Sequence, residues 1–337
     1  MRDGSGMHHL LWEVVSNSLD EHLAGRATRI RVSVEGQLAE VEDDGGGISL
    51  APDRHGVPFM ERALTELHCG ATLDGHLPHV HVGPTGLGLA VVNALSERLD
   101  VEVRRDGWSW HRSFVRGVPV GALERRERTE RTGMRLRFRA DASIFGPSTF
   151  DRAAIRSRLV ELAAFNPGLT FDLMAEPIRE PRGIAALLDA GSDDTVADVF
   201  TTRAVERDVL VEAAVGWCSC GTTRIRSLVG QSDTEDGGSH ERGFVQGLAR
   251  AIAAQPGCVD SLPRRVYGVR RRLPGLHAIV HVDRRSPVFG GPTRSRLACP
   301  EVQAVVREHV ERAYGAHLRA HPDGARRVLA RLSSSRT

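Results

Sequence analysis

The stretch that decides the fold is HHLLWEVVSNSLDEHLAG, residues 8–25. Its apolar residues recur every three to four positions, which predicts an amphipathic helix ended by Gly25. At 100° per residue, its polar residues share the opposite face. A carboxylate and an amide one turn apart can serve as a general base and as an oxygen ligand for Mg²⁺. A solvated polar face is the alternative, and the spacing alone leaves both open. The polar residues are Glu13, Asn17, Asp20 and Glu21.

Two glycine-rich segments follow this helix. VEDDGGGI, residues 41–48, comes after a predicted β-hairpin. Its glycines fit a plain turn, or they let a flat ligand approach the backbone beside the Asp43 carboxylate. GPTGLG, residues 83–88, opens a predicted helix over 89–99, where backbone N–H groups can receive a phosphate chain. This loop does not match the G-x-G-x-x-G dinucleotide fingerprint, so by itself it is weak evidence.

The composition is that of a globular chain and excludes several enzyme classes. The 337 residues are 41% hydrophobic and 26% charged, which suits about two domains. No apolar run approaches the ~18 residues of a membrane span, so we expect no membrane contact. Five cysteines, an odd number, give no disulfide framework and favour a cytoplasmic location. All 45 basic residues are arginine, which excludes Walker-type phosphate loops, protein kinases and Schiff-base enzymes, since each of these needs a lysine.

The order of the predicted elements indicates two domains. Strand patterns after the second glycine segment complete a first α/β unit, which we place at residues 1–142. A linker is expected at 141–149, and a second domain of helices and strands at 148–321. Residues 322–337 are expected to be a C-terminal tail.

Taken together and in this order, the helix and the two glycine segments resemble the ATP motifs of the gyrase, chaperone, histidine-kinase and mismatch-repair ATPases. The likeness is closest to the B subunits of DNA gyrase and topoisomerase IV, and it extends from about Gly6 to about Arg331. In the second half, three segments resemble the transducer domain of that family. They are RLVELAAFNPGLTFDL (158–173), DGGSHERGF (236–244) and LPGLHAIVHVDRRSPVFGGPTRSRLACPEV (273–302).

The resemblance implies a fold and an activity. The fold is α+β: an N-terminal Bergerat-type ATPase α/β sandwich followed by an α/β transducer domain with a ribosomal-protein-like βαβ fold. The activity is that of the ATP-hydrolysing type II DNA topoisomerases, with ATP and Mg²⁺ as cofactors.

Residue by residue, the resemblance gives Glu13 the part of the general base that orients water towards the γ-phosphate, supported by His9. Asn17 would bind Mg²⁺, and Asp43 would accept a hydrogen bond from the adenine amino group. In the second domain, Arg294 would reach the γ-phosphate in place of a lysine. The remaining nucleotide-binding positions would be Asp20, Gly45, Gly47, Gly83, Gly86, Leu87, Gly88 and Arg105.

Four positions depart from the family pattern. Gly46 stands where gyrase usually has an arginine, Thr85 replaces a histidine, and Pro292 replaces a glutamine. Met134 replaces a threonine that helps to hold the adenine, which removes one hydrogen bond worth ~1 kcal/mol. We therefore expect weakened rather than abolished ATP binding.

The remaining expectations concern partners. A complete gyrase B protein has a metal-binding Toprim domain, whose motifs do not occur here, so we expect no strand passage without a gyrase-A-like or Toprim-containing partner. Twelve residues precede Glu13, where the family has a dimerisation arm, which favours a monomer or weak homodimer. Arginine clusters such as residues 270–272 fit solvated turns or DNA-backbone contacts. The alternative function is a non-catalytic nucleotide-binding regulator, or a drug-binding decoy of gyrase.

Overall fold

The computed structural model describes residues 5–67, 69, 88–188, 195–219, 222–230, 232–256, 273–284, 286–291 and 293–334. The chain forms two compact units that divide between Pro181 and Arg182. In chain order, the elements are α1 (Ser5–Leu23), β1 (Arg29–Glu35), β2 (Leu38–Asp43), α2 (Phe59–Thr65), α3 (Gly88–Ala94), β3 (Ser96–Arg105), β4 (Trp108–Val115), β5 (Val118–Arg128), β6 (Gly133–Ala140), α4 (Ala142–Phe145), α5 (Arg152–Phe165), β7 (Thr170–Leu173), β8 (Glu176–Ile178), a 3₁₀ helix (Gly183–Leu187), β9 (Thr195–Glu206), β10 (Val209–Cys218), β11 (Arg224–Val229), β12 (Ser232–Asp233), α6 (Ser239–Ala253), β13 (Leu276–Arg284), α7 (Pro300–Ala320) and α8 (Pro322–Ser334).

The first unit is an eight-stranded sheet covered by helices on one face. Its strands lie in the order β5-β4-β3-β6-β2-β1-β7-β8. Along β1, Ile30, Val32 and Val34 are buried while the residues between them face outwards, as expected for a strand with one covered face. One apolar cluster joins this inner face to α1, α2, α3 and α5. The long first helix is confirmed, with its apolar stripe buried against the sheet.

The β1–β2 hairpin sets the position of the second motif. The two strands pair antiparallel from Glu35 opposite Leu38 to Ile30 opposite Asp43. Strand β6 pairs with the other edge of β2. Asp43 is therefore the last residue of a central strand, directly beneath α1, and the glycines after it form the loop that leaves the sheet.

Two elements of this unit differ from what the sequence predicts. The helix expected over 89–99 stops at Ala94, and β3 begins at Ser96, because Ser96 pairs with Ala140 of β6 and starts a long antiparallel ladder. Tertiary pairing therefore overrides the local helical pattern. The edge strand β5 lacks a clear apolar alternation because nearly all of its residues are exposed, and the sequence did not reveal it.

The first unit also extends further than the sequence indicated. We placed the boundary at residues 142–148, but β7 pairs parallel with β1, from Arg29 opposite Thr170 to Val32 opposite Leu173. Helix α5 packs on the same core. Residues up to Pro181 are therefore part of the first compact unit. A parallel pairing across ~140 residues leaves no local trace in a sequence.

The second unit is a five-stranded sheet, in the order β12-β11-β13-β10-β9, with α6 and α7 packed on it. Strands β11 and β13 pair in parallel, with α6 between them in the chain, which makes a βαβ crossover. Helices α6 and α7 approach closely at Gly247, where a Cβ would lie 2.7 Å from the Arg307 carbonyl oxygen. The mixed α/β architecture with two sheets confirms the predicted fold class.

The expected C-terminal tail is a helix instead. Residues 322–334 form α8, which buries Ala325 and Val328 in the core of the second unit. This helix was missed because its apolar positions are few and lie between arginines and alanines. Among the described residues, no helix is both long and apolar enough to cross a membrane.

Candidate active site

The centre of the site is Asp43, a carboxylate that is only 2% exposed. Its Oδ2 accepts a hydrogen bond from the Ser18 hydroxyl at 2.8 Å. Its Oδ1 accepts the backbone N–H of Gly45 at 2.9 Å and that of Met134 at 3.3 Å. Three donors from α1, the glycine loop and β6 therefore fix the carboxylate without neutralising it.

The surroundings of Asp43 disfavour its charged form. Burial raises the pKa of Asp43 from 3.8 to about 6, while the hydrogen bonds from Ser18, Gly45 and Met134 work against this, and the nearby Glu21 carboxylate adds to the rise. A carboxylate in this state is a strong acceptor for any donor that reaches it. Such perturbed groups are typical of functional sites, although structural networks produce them too.

The neighbouring acid, Asp44, has a structural role instead. Its Oδ1 accepts the backbone N–H groups of Thr28 and Arg29, each at 2.8 Å, and its Oδ2 accepts the Thr28 hydroxyl at 2.7 Å. Hydrogen bonds from Thr28 and Arg29 hold the pKa of Asp44 below its usual value despite partial burial. Asp44 therefore ties the glycine loop to the start of β1, and Asp43 is left to face the interior.

The glycine loop is packed too tightly for side chains at two points. A Cβ on Gly47, whose φ is +72°, would lie 3.1 Å from the carbonyl oxygens of Arg104 and Gly133. A Cβ on Gly45 would lie 2.8 Å from Oε2 of Glu21. The Arg105 guanidinium donates to the Gly47 carbonyl at 2.9 Å, which places Arg105 at the edge of this loop. The structure thus brings Asp43, Gly45, Gly47 and Arg105 together.

Glu13 is a residue of α1, and its side chain lies against the first residue of α3. A Cβ on Gly88, the first residue of α3, would overlap the Glu13 carboxylate, so the two residues lie in close contact. Desolvation raises the pKa of Glu13 above its usual value, and the electrostatic attraction of His9 lowers it to a smaller extent. A carboxylate with a raised pKa is better suited to take a proton near neutral pH. The structure therefore brings Glu13, Gly88 and His9 together, and their catalytic and phosphate-binding roles stay predictions.

Asn17 and Asp20 continue the same face of α1, and both are partly buried. The Asn17 amide makes no hydrogen bond within the described part of the chain. Among the residues that the structure describes, no group of three or more His, Cys, Asp or Glu could hold a metal ion.

Arg294 belongs to the second unit. Its guanidinium lies over the Phe289 ring, 5.8 Å from the centroid, and its backbone is left-handed with φ +57°. Several predicted positions fall outside the described residues, and their parts in the site stay predictions. They are Gly83, Thr85, Gly86, Leu87, Pro292 and the arginines of residues 264–265 and 270–272.

The arginine clusters that are described have partners in the chain. Arg125 stacks on Trp108 at 4.3 Å, and Arg126 pairs with Glu124 at 3.3 Å. Arg327 donates to the Val196 carbonyl at 2.6 Å. DNA contact through these clusters stays a prediction.

The outer face of the first sheet carries a separate basin of about 800 Å³. Two of its three arginines pair with acids: Arg29 contacts Asp172 at 3.0 Å, and Arg31 contacts Glu42 at 3.4 Å. The lining has three arginines and three acids, so its formal charges cancel.

Two residues of the site were missed by sequence reasoning. Ser18 is buried and binds Asp43, and the signal was a serine on the apolar side of α1. Arg26 pairs with Glu21 through two hydrogen bonds beside the glycine loop. Nothing in the sequence pattern indicates that pair, because it depends on how the turn after α1 folds back.

This fold and site define a class of ATPases. Residues 2–143 match the family described as histidine kinase-, DNA gyrase B-, and HSP90-like ATPase. Residues 183–337 match the family described as DNA gyrase B. The solved 43K ATPase domain of Thermus thermophilus gyrase B, in complex with an aminocoumarin, is 30% identical with a TM-score of 0.82, covering 98% of this chain and 89% of that one. The chain belongs to the DNA gyrase B family.

Other relatives agree. The DNA gyrase B protein of Mycobacterium tuberculosis is 30% identical over 98% of this chain and 55% of its own length. That of Staphylococcus epidermidis is 34% identical over 91% of this chain and 51% of its own length. The topoisomerase IV ATP-binding domain of Francisella tularensis, solved with a small-molecule inhibitor, is 25% identical with a TM-score of 0.80, covering 97% of this chain and 91% of that one. The chain spans about half the length of the curated relatives it matches.

Proposed function

We propose that this chain binds ATP in the first unit and hydrolyses it. The observation that carries the proposal is the buried Asp43 carboxylate, held by three donors at a glycine loop in a chain of the gyrase B family. A buried acceptor of this kind selects a ligand that brings an N–H donor, and the exocyclic amino group of adenine is one. Gly45, Gly47 and Arg105 form the loop and edge beside it.

Glu13 is the proposed general base. Its raised pKa and its contact with the glycine that opens α3 support a carboxylate placed beside the phosphate end of a nucleotide. It takes a proton from the water that attacks the γ-phosphorus, ADP leaves, and inorganic phosphate is formed. His9 is close enough to favour the charged form of Glu13. The loop residues Gly83, Gly86, Leu87 and Gly88 are proposed to surround the phosphates, and Arg294 to approach the γ-phosphate.

Mg²⁺ fits the residues present. Asn17 offers an amide oxygen that has no partner within the described chain, with Asp20 one turn further on. A bound Mg²⁺ would neutralise phosphate charge during the reaction. Asn17 itself would orient the ion against α1 and keep the phosphates at the Glu13 end of the helix.

A Glu13→Gln variant tests the catalytic part. Glutamine keeps the shape but cannot take a proton, so we expect ATP affinity within a few-fold of the parent and hydrolysis lowered ~10²–10⁴-fold. Glu97→Gln is the matched control, because Glu97 is an exposed glutamate on β3. Calorimetry gives affinity, and a coupled phosphate assay gives turnover. Equal turnover in Glu13→Gln and the parent removes Glu13 from this role.

The same experiment separates the two candidate functions. A parent chain that binds ATP without turning it over is the nucleotide-binding regulator or decoy. Turnover that depends on Glu13 identifies the ATPase.

Strand passage belongs to a larger assembly. We propose that the chain supplies ATP turnover to a Toprim-containing and gyrase-A-like partner. In a plasmid supercoiling assay with ATP and Mg²⁺, we expect no change in linking number with the chain alone and activity only when those partners are added. A change in linking number produced by the chain alone contradicts this.

A further inference from the structure

The space beside Gly46 is occupied by an arginine from another part of the chain. A Cβ built on Gly46 would lie 3.3 Å from Cδ of Arg26 and 3.4 Å from Oε2 of Glu21. The backbone of Gly46 does not have a positive φ, so its conformation does not require glycine. The family pattern has an arginine side chain starting at this point, and here Arg26 fills the place from the turn after α1.

Arg26 is held in this place by its backbone and by its side chain. Its backbone N–H donates to the Glu21 carbonyl at 2.9 Å, in the turn that ends α1. Its Nε donates to Oε2 of Glu21 at 2.9 Å, and its NH2 donates to Oε1 at 2.7 Å. A two-point guanidinium–carboxylate pair fixes the plane of the carboxylate as well as its distance.

Glu21 in turn contacts the glycine loop and holds it in place. Its Oε2 accepts the Gly46 N–H at 2.8 Å. The side chain also packs on Gly45, where a Cβ would come within 2.9 Å of its Cβ and Cγ. Gly45 in turn donates its N–H to Asp43 at 2.9 Å. A continuous path of contacts therefore runs from Arg26 through Glu21 and the loop to the carboxylate proposed to receive the base.

We propose that Arg26 replaces the arginine that the family has at position 46. It is a positioning residue: it holds Glu21 against the glycine loop and thereby sets the affinity of the site for the nucleotide base. This inference rests on the proposed nucleotide binding and adds to it a residue that the family pattern does not assign. Glu13 is not on this path, so Arg26 acts on binding and leaves the hydrolytic step unchanged.

An exchange of positions tests the inference. Arg26→Ala should raise the Kd for ATP about 3- to 10-fold, in line with a partly exposed ion pair acting through one neighbour, with kcat within two-fold. The double variant Arg26→Ala with Gly46→Arg should return the Kd to within about two-fold of the parent, since the new side chain starts in the vacated space. Arg26→Lys keeps the charge and loses the two-point geometry, and should fall between the parent and Arg26→Ala.

Arg98→Ala is the matched control. Arg98 makes the same kind of two-point pair in the same unit, with Asp100 at 2.9 and 3.0 Å. Urea unfolding of the nucleotide-free variants should show a similar small loss in Arg26→Ala and Arg98→Ala, because both lose an exposed pair. A purely structural role would affect both alike and would not move the Kd selectively.

The outcomes distinguish a failure of this inference from a failure of the proposed ATP binding. An unchanged Kd in Arg26→Ala, with ATP binding intact in the parent, overturns the inference alone. A folded double variant that stays as weak as Arg26→Ala also overturns it. A parent chain that binds no ATP by calorimetry overturns the proposed function and the inference together. A raised Kd that is restored in the double variant and absent in Arg98→Ala supports the inference.

Discussion

Replacing Asp43 by asparagine should make the nucleotide-free protein more stable while weakening its affinity for ATP. Burial raises the pKa of Asp43 from 3.8 to about 6. A carboxylate perturbed to this extent costs the folded state on the order of 3 kcal/mol when it is ionised. Asparagine cannot ionise, so Asp43→Asn should raise the free energy of unfolding by about 1–3 kcal/mol at pH 8.

The geometry lets asparagine keep every hydrogen bond. The amide oxygen in the place of Oδ1 accepts the N–H groups of Gly45 and Met134, as the carboxylate does. The amide NH₂ in the place of Oδ2 donates to the Ser18 hydroxyl, which turns from donor to acceptor. An adenine amino group then meets another donor, so ATP binding should weaken by roughly 1–3 kcal/mol.

The sign of the pH dependence follows from the direction of the pKa shift. Between the unfolded value of 3.8 and the folded value of about 6, the folded state binds the proton that the unfolded state has lost. The stability of the parent therefore falls as pH rises through this range. The stability advantage of Asp43→Asn should be absent below pH ~4, grow up to pH ~6 and stay constant above it.

Urea unfolding from pH 2 to 8, with calorimetry of ATP at pH 8, measures both effects. Asp141→Asn is the control with the opposite sign, because hydrogen bonds from Ser143 and the Arg116 pair lower the pKa of Asp141 to about 2. That variant should be less stable than the parent at neutral pH, and the difference should disappear as pH falls through about 2. Equal stability of Asp43→Asn and the parent at pH 8 refutes the cost assigned to Asp43, and equal ATP affinity refutes the adenine assignment.

Two further predictions concern a buried hydrogen bond and a buried ion pair. Tyr314→Phe leaves the buried Trp217 indole N–H without the acceptor that it has at 2.8 Å, so the free energy of unfolding should drop by about 1–3 kcal/mol in urea, and an unchanged midpoint would contradict this. Glu61→Ala leaves the buried Arg112 guanidinium without its carboxylate at 2.8 Å and should cost about 3 kcal/mol or more, whereas Glu124→Ala, which removes a pair between exposed side chains, should cost under ~1 kcal/mol; similar losses in both would refute the distinction.

The parts of the fold that the sequence predicted are those set by local pattern. Helix α1, the β1–β2 hairpin and the glycine loop after Asp43 each have a periodicity or turn signal within a few residues. The parts it did not predict depend on distant pairing. β7 joins the first sheet through β1, and β3 takes residues whose local pattern is helical because β6 pairs with them.

The same division holds within the site. Glu13 and Asp43 could be proposed from the sequence because their residue types and spacing match a known family. Ser18 and Arg26 were not, since a serine and an arginine have no distinctive spacing, and their effect comes from contacts to Asp43 and Glu21. The sequence shows that the family's arginine is replaced by Gly46, and only the structure shows that Arg26 occupies the same space.

Asp43 lies among several features that constrain the fold closely. Its ionised form is disfavoured by burial, and the loop beside it excludes side chains at Gly47. On β6, Gly133 has φ +123°, and a Cβ there would overlap the Asp43 carbonyl. An amide at position 43 could keep the same hydrogen bonds without the cost of ionisation, so stability does not explain the carboxylate. What a carboxylate adds is acceptor capacity on both oxygens, and this is useful only towards a ligand that donates. The cost at this position is therefore itself an argument for a donor-bearing base in the site.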